Sequence, residues 1–369
     1  MKQLFDTLQR VAKFLGACLS VILKRFLLYW RKNWGHKIVV ILISIVIVGI
    51  GTMYGIARWY IWSERNVPLT LGVSYIPDYA SSLGLNPKTT MEALINDLHV
   101  KNFRLVSYWS DIEPTPGHYN FSMLDWEFAQ ADKAHAKITL AIGLRQPRWP
   151  ECHAPGWINT AGPESTWVPQ LESYMTAVIN RYKTNPALSS YQLENEFFNT
   201  GFGECNNADR NRLINEFTLV KKLDPNHPII ISRSNNYIGL PLGKPTPDIS
   251  AISVYRRVWS PPIGRYFEYP FPAWYYAFLA GANEILTGKN SILHELQAEP
   301  WPPNGLSIPQ SSLAEQNQSM NAKILKNYIN FGKATGMKTI YLWGAEYWYY
   351  RKVILHDPSM WNVAKKEFS

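Results

Sequence analysis

Cysteine is scarce in this chain, three in 369 residues, too few for a fold held together by disulfides. No HExxH, GxSxG or phosphate-loop pattern occurs, which removes the commonest zinc-protease, serine-hydrolase and nucleotide-binding readings. Nothing has metal-ligand spacing, so no metal or other cofactor is expected. The body of the chain also lacks a charge of one sign. Residues 1–66 hold ten Lys and Arg against Asp6 and Glu64, a net of +8, and the rest carries 27 basic against 26 acidic residues. The formal charge of +9 is therefore a property of the front segment, and a nucleic-acid partner is excluded by its location. With 46% hydrophobic and 14% aromatic residues, the remainder can bury a large core.

From Ile38 to Ala57 there is no charge at all. As a helix rising 1.5 Å per residue, this run is long enough to cross about 30 Å of hydrocarbon. Eight basic residues precede it and only Arg58 and Arg65 follow. By the positive-inside rule the N-terminus is then cytoplasmic and everything after Trp62 lies outside, in the cell membrane's outer compartment. A cleaved signal peptide is the rival, since Gly55-Ile56-Ala57 suits a signal peptidase, but its basic region would be 37 residues long. The organisation expected is a basic amphipathic segment on the inner leaflet over 1–37, a transmembrane anchor over 38–62 and one domain over 66–369.

Beyond Leu69, short β-branched runs alternate with amphipathic stretches, the pattern of βα units on a parallel sheet. Eight strands are expected: Leu69–Tyr75, Asn102–Ser107, Ile138–Gly143, Leu188–Glu196, Pro228–Ser232, Ile249–Tyr255, Ser291–Glu295 and Thr339–Trp343. Helices are expected over 88–101, 121–136, 168–183, 208–223, 271–287 and 312–334, with none obvious between the fifth and sixth strands. Eight units in about 300 residues suit one (β/α)8 barrel, whose active site lies where the strands end.

Three of those ends carry carboxylates: Glu196, Glu295 and, just past the eighth, Glu346. Two facing carboxyls, about 5 to 5.5 Å apart in a retaining enzyme, cleave a glycosidic bond as acid/base and nucleophile. The Asn-Glu pair at 195–196 ends an apolar strand, whereas Asn215-Glu216 and Asn283-Glu284 sit in helical periodicity, where a solvated face is the ordinary reading. Glu299 competes with Glu295, which is preferred because it ends the apolar run.

The stretch RLVSYWSDIEPTPGHYNFSMLDWEFAQ from Arg104, with YQLENEFFN, SILHELQAEPW and TIYLWGAEYW, resembles retaining glycoside hydrolases of the (β/α)8 clan, among them the cellulase family 5-like, β-galactosidase family 42-like and family 39-like enzymes. Position by position, the resemblance implies Glu196 as acid/base, Glu295 as nucleophile and Asn195 on the sugar 2-hydroxyl. It places Arg104 beneath the nucleophile, keeping it ionised, Tyr255 hydrogen-bonded to the nucleophile and Trp343 stacked on the sugar. Two groups depart from cellulase-like members: Ser253-Val254-Tyr255 replaces His-x-Tyr, and Gly143-Leu144-Arg145 stands where a His often follows the third strand. Trp109, Trp149 and Trp301 line the sugar cleft or pack loops. His294 reads as a packed histidine. Cys152 and Cys205, in the loops after the third and fourth strands, are expected to pair in an oxidising compartment.

The function expected is a membrane-anchored retaining β-glycoside hydrolase acting on an oligo- or polysaccharide without a cofactor. The alternatives are a transglycosylase using the same residues and a non-catalytic carbohydrate-binding barrel of the cell envelope.

Overall fold

The computed structural model describes residues 34–205, 207–234 and 243–369, together with Ser20, Lys24 and Trp30. The expected surface segment over 1–37 and the gap between the fifth and sixth strands lie largely outside those residues. The chain divides into two units, 1–56 and 57–369.

Helix α1, Trp34–Ser63, is the one element among the described residues long and apolar enough to cross a membrane. Its β-branched run has no polar face to turn to water, and Ile41, Leu42, Ile45, Val46, Ile47 and Val48 stand exposed.

The second unit is a closed barrel of eight parallel strands. They are β1 (Thr70–Ser74), β2 (Asn102–Val106), β3 (Lys137–Ile142), β4 (Leu188–Leu193), β5 (Ile229–Ser234), β6 (Ile249–Val254), β9 (Ser291–Gln297) and β10 (Thr339–Trp343). The (β/α)8 fold is as the alternating pattern implied. Each strand is covered on both sides, so its residues read as continuous apolar runs. The barrel pairs β1 with β10 from Thr70↔Thr339 to Val73↔Leu342, which closes the sheet and leaves no edge.

The structure differs from the sequence reading at several points; β9 runs past Glu295 to Gln297 and the helix expected over 88–101 ends at Asn96. First, β7 (Arg257–Ser260) and β8 (Arg265–Glu268) form an antiparallel hairpin after β6, too short and proline-rich to show periodicity. Second, the expected helix over 312–334 is two, Leu313–Ser319 and Ala322–Ala334. Met320 between them is extended, and the Asn321 side chain caps the second by accepting from the Lys323 and Ile324 amides. Third, β4 stops at Leu193, three residues before Glu196. Fourth, Glu216 is fully buried rather than on a solvated face, because Arg212, one turn earlier on the same helix, pairs with both Glu216 and Glu194.

Gly143 shows how tightly the barrel's upper rim is packed. It has φ +104°, and a Cβ there would lie 2.6 Å from Glu194 Oε1. Glu194 uses both oxygens to accept the Leu144 and Arg145 amides at 2.8 Å, fixing the loop after β3 to the end of β4. Gly143→Ala is therefore expected to cost about 2 kcal/mol or more, read as a lower midpoint in urea unfolding. An unchanged midpoint would show that the Glu194 contacts yield freely.

Candidate active site

Arg104 stands on β2 facing the barrel interior, almost wholly buried. A buried guanidinium needs both a counter-charge and acceptors for its N–H groups. It has them. Nη1 lies 2.8 Å from Glu295 Oε1 and also donates to Ser74 Oγ, Nη2 donates to Asn195 Oδ1 at 2.9 Å, and Nε donates to Gln192 Oε1. One cation thus ties together β1, β2, β4 and β9.

Glu295 is aimed inward by an irregularity of its own strand. Ile252 pairs with Leu293 and Ser253 with Glu295, so β9 carries one extra residue there. Such a bulge re-aims a side chain and twists the strand. The Tyr255 hydroxyl donates to Glu295 Oε2 at 2.6 Å, from just past the end of β6.

Glu196 sits past β4 in a turn where both it and Glu194 have positive φ, +43° and +55°. Non-glycine residues rarely hold this conformation, and here crossing contacts enforce it: the Asn195 amide donates to Arg145 O, and the Glu196 amide to Ser232 Oγ. Asn199 Nδ2 donates to Glu196 Oε2 at 2.8 Å. Burial, with the Glu295 charge adding to it, pushes the Glu196 carboxyl up to about 7, against the Asn199 hydrogen bond that lowers it.

These groups open on a cavity of about 830 Å³ lined by Asn195, Glu196, Glu295, Tyr255 and Trp343. Trp149 and Trp301 line it too, Trp301 meeting Tyr255 edge to face with centroids 5.5 Å apart. Trp109 is placed elsewhere: fully buried, it donates to Glu113 and packs on Trp157 and Tyr174. Trp343 reaches the cavity with little of its face, since the Arg148 guanidinium lies 4.5 Å from its ring centroid. Arg148 also holds both oxygens of Glu299, at 3.1 and 3.2 Å, and stacks on Tyr79. Glu299 is thereby bound in a bidentate pair. Glu346 is buried, accepts the Ile76 amide at 2.6 Å and is pushed up to about 7 by burial. His294 is buried on β9, its charged form disfavoured by burial.

The sequence reading missed Gln192, Arg148, Asn199, Ser232 and Glu151. Gln192 was reachable, two residues before Glu194 on an inward-facing strand. The other four depend on which loops meet.

Cys152 and Cys205 are joined, with Cα atoms 5.3 Å apart. The bond links the loops after β3 and β4, which also share the Glu204 amide to Pro150 O hydrogen bond. Closing a 53-residue separation removes unfolded-chain entropy worth on the order of 4 kcal/mol. Reduction is expected to lower Tm and, since it frees the loops beside Glu196, turnover. A reduced enzyme with the oxidised enzyme's Tm would overturn the expectation.

A β-galactosidase family model, that of glycoside hydrolase family 42, matches residues 87–226, which include Arg104, Asn195 and Glu196. No curated protein matches the chain. Among solved structures, it is similar to an exo-β-1,4-mannosidase from Opitutaceae bacterium strain TAV5 at 14% identity and TM-score 0.52, covering 74% of this chain and 51% of that one. It is also similar to a glycosylated endo-β-1,4-xylanase of family 10 from Gloeophyllum trabeum at 17% identity and TM-score 0.51, covering 75% and 85%. A third is the E385A mutant of xylanase 10C from Cellvibrio japonicus with xylopentaose, at 13% identity and TM-score 0.51, covering 75% and 58%. At these identities the structural likeness establishes the fold. By sequence over 87–226, and by fold over about three quarters of its length, the chain resembles retaining glycoside hydrolases of the (β/α)8-barrel type.

Proposed function

We propose that the chain hydrolyses β-linked glycosides with retention of configuration. The observation that carries this reading is the contrast between two buried carboxyls on one cavity. Glu295 has a guanidinium at 2.8 Å and a phenol hydroxyl at 2.6 Å, while burial pushes Glu196 up to about 7. Two carboxyls held by different partners on one cavity are what a nucleophile and a general acid require.

In the first step the Glu295 carboxylate attacks the anomeric carbon as the bond to the leaving oxygen breaks, and Glu196 gives that oxygen its proton. Glu196, now ionised, takes a proton from water, whose oxygen attacks the same carbon and releases Glu295. The Arg104 and Tyr255 contacts return to the freed carboxylate.

The sign of the pH dependence follows. Glycosylation needs Glu196 protonated, and a group with a carboxyl raised to about 7 loses its proton as pH rises through that value. The kcat/KM for a poor leaving group is therefore expected to fall tenfold per pH unit above about 7, and Glu196→Ala to abolish that limb. A flat profile to pH 9 in the wild type would remove Glu196 as the acid. Product NMR decides the stereochemistry: an initial α-anomer from a β-glycoside overturns retention.

We further propose that α1 anchors the enzyme, with residues 1–37 cytoplasmic, 38–62 in the bilayer and the domain from 66 outside. The basic front segment, the uncharged run and the disulfide on the barrel all favour this orientation. Protease added to intact cells is expected to degrade the barrel and leave a protected N-terminal fragment. A mature soluble protein beginning near Arg58 would show a cleaved signal instead.

A further inference from the structure

Glu151 is one of four carboxyls on the same cavity, with Glu196, Glu295 and the Arg148-bound Glu299, and the glycosidase mechanism gives it no role. It comes from the loop after β3 and reaches Asn195, the residue before Glu196. Its Oε2 accepts from Asn195 Nδ2 at 2.9 Å. Asn195 cannot turn its amide round: Oδ1 already accepts from Arg104 Nη2 and Gln192 Nε2, both at 2.9 Å, so the NH₂ is held toward Glu151 and the cavity.

The loop is built to deliver this side chain. Arg148 and Glu151 both have positive φ, +85° and +73°, and the Glu151 amide donates to Arg148 O while its carbonyl accepts from the Gln146 amide. Cys152 next door is tied to Cys205. Gly203 approaches so closely that a Cβ there would lie 2.8 Å from Glu151 Cβ. Strained backbone held from several sides marks a positioned group.

A plain structural ion pair with Arg145 does not account for it. Nε of Arg145 stands 3.6 Å from Glu151 Oε2 and has no hydrogen-bond acceptor, so the two are not closed on each other as a structural pair would be.

We propose that Glu151 is a specificity-determining residue that meets the substrate sugar beside Asn195, so that the two together hydrogen-bond the 2-hydroxyl and select glycosides carrying one. The inference rests on the glycosidase reading above and names what that site selects. Burial pushes the Glu151 carboxyl up to about 8, with the Glu196 and Glu295 charges adding to it and Arg145 and Asn195 opposing. At neutral pH it therefore keeps a proton and has an O–H to donate. A neutral acid placed there adds no third charge beside the catalytic pair.

The test is a cycle on the full-length chain in detergent. Probes are the 2,4-dinitrophenyl β-glycoside that the wild type cleaves fastest and its 2-deoxy counterpart. In the wild type, removing the 2-hydroxyl is expected to lower kcat/KM by roughly 100-fold, two hydrogen bonds at about tenfold each. In Glu151→Ala that ratio is expected to shrink to about tenfold, with the loss falling on the 2-hydroxy substrate. Glu151→Gln keeps a neutral donor and acceptor and is expected to keep most of the ratio, a rescue that a charge-balancing role would not give. An active Glu151→Ala with the wild-type ratio overturns the proposal alone. If Glu151→Ala does not fold, Glu151→Gln carries the test: a ratio reduced as far as removal of a hydrogen bond would reduce it, at wild-type Tm, refutes the neutral-donor role. A wild type that neither cleaves any β-glycoside nor is labelled by a 2-deoxy-2-fluoro glycoside overturns the glycosidase reading, and this inference with it.

Discussion

Glu295→Gln is expected to lower kcat on every β-glycoside by on the order of 10⁴-fold or more while the chain stays folded. The amide keeps the carboxyl's shape and its acceptor oxygen for the Tyr255 hydroxyl, so the cavity survives. What disappears is the negative charge that, in the proposed mechanism, attacks the anomeric carbon and that balances Arg104 at 2.8 Å. Leaving a buried guanidinium without its counter-ion also costs stability, a few kcal/mol by analogy with other buried pairs, so Tm should fall in the same variant. Activity must therefore be measured well below the variant's midpoint. The control is Glu299→Gln. Glu299 is held in a bidentate pair by Arg148, and losing it should disturb the cavity wall without ending turnover. A Glu295→Gln enzyme near wild-type rate beside a dead Glu299→Gln would move the nucleophile to Glu299.

Glu196→Ala is expected to split substrates by leaving group. Poor leaving groups need the proton and should slow by about 10²- to 10⁴-fold, the range of general acid catalysis, whereas 2,4-dinitrophenolate leaves without it and glycosylation should proceed. Water then attacks the intermediate slowly, having lost its base. Azide needs none. Added azide should restore turnover of the activated substrate and yield a β-glycosyl azide, since a second displacement at the same carbon restores the starting configuration. Removing the Glu196 carboxyl also leaves Asn199 Nδ2 without its acceptor, a secondary change that azide does not repair. No rescue, or an α-glycosyl azide, would show that Glu196 is not the acid/base of a double displacement.

The sequence by itself determined the order of the eight barrel strands and which polar residues interrupt them. Strands buried on both faces must be continuous apolar runs, and a polar residue inside such a run stands out, as Arg104 does on β2 and Glu295 on β9. The uncharged run of α1 was equally plain, because a helix of that length without a charge stands out in the composition. The hairpin Arg257–Glu268 was not legible, since four-residue strands show no period and their pairing depends on a turn around Pro261–Ile263. Nor was the burial of Glu216, which rests on Arg212 meeting Glu194 from another element.

Tertiary structure alone decided which side chains face one another. Trp109 and Trp301 both follow a barrel strand, yet Trp109 is buried away from the cavity and Trp301 lines it, because loop paths set the direction of an aromatic ring. Glu151 looked like one acid among many in a loop. Its place against Asn195 arises because the loops after β3 and β4 cross and are bonded through Cys152 and Cys205, a contact between residues 44 apart in sequence. Periodicity records what each segment does with its own apolar face. The environment of a carboxyl is set by atoms from other segments, and so it was fixed only when the barrel closed.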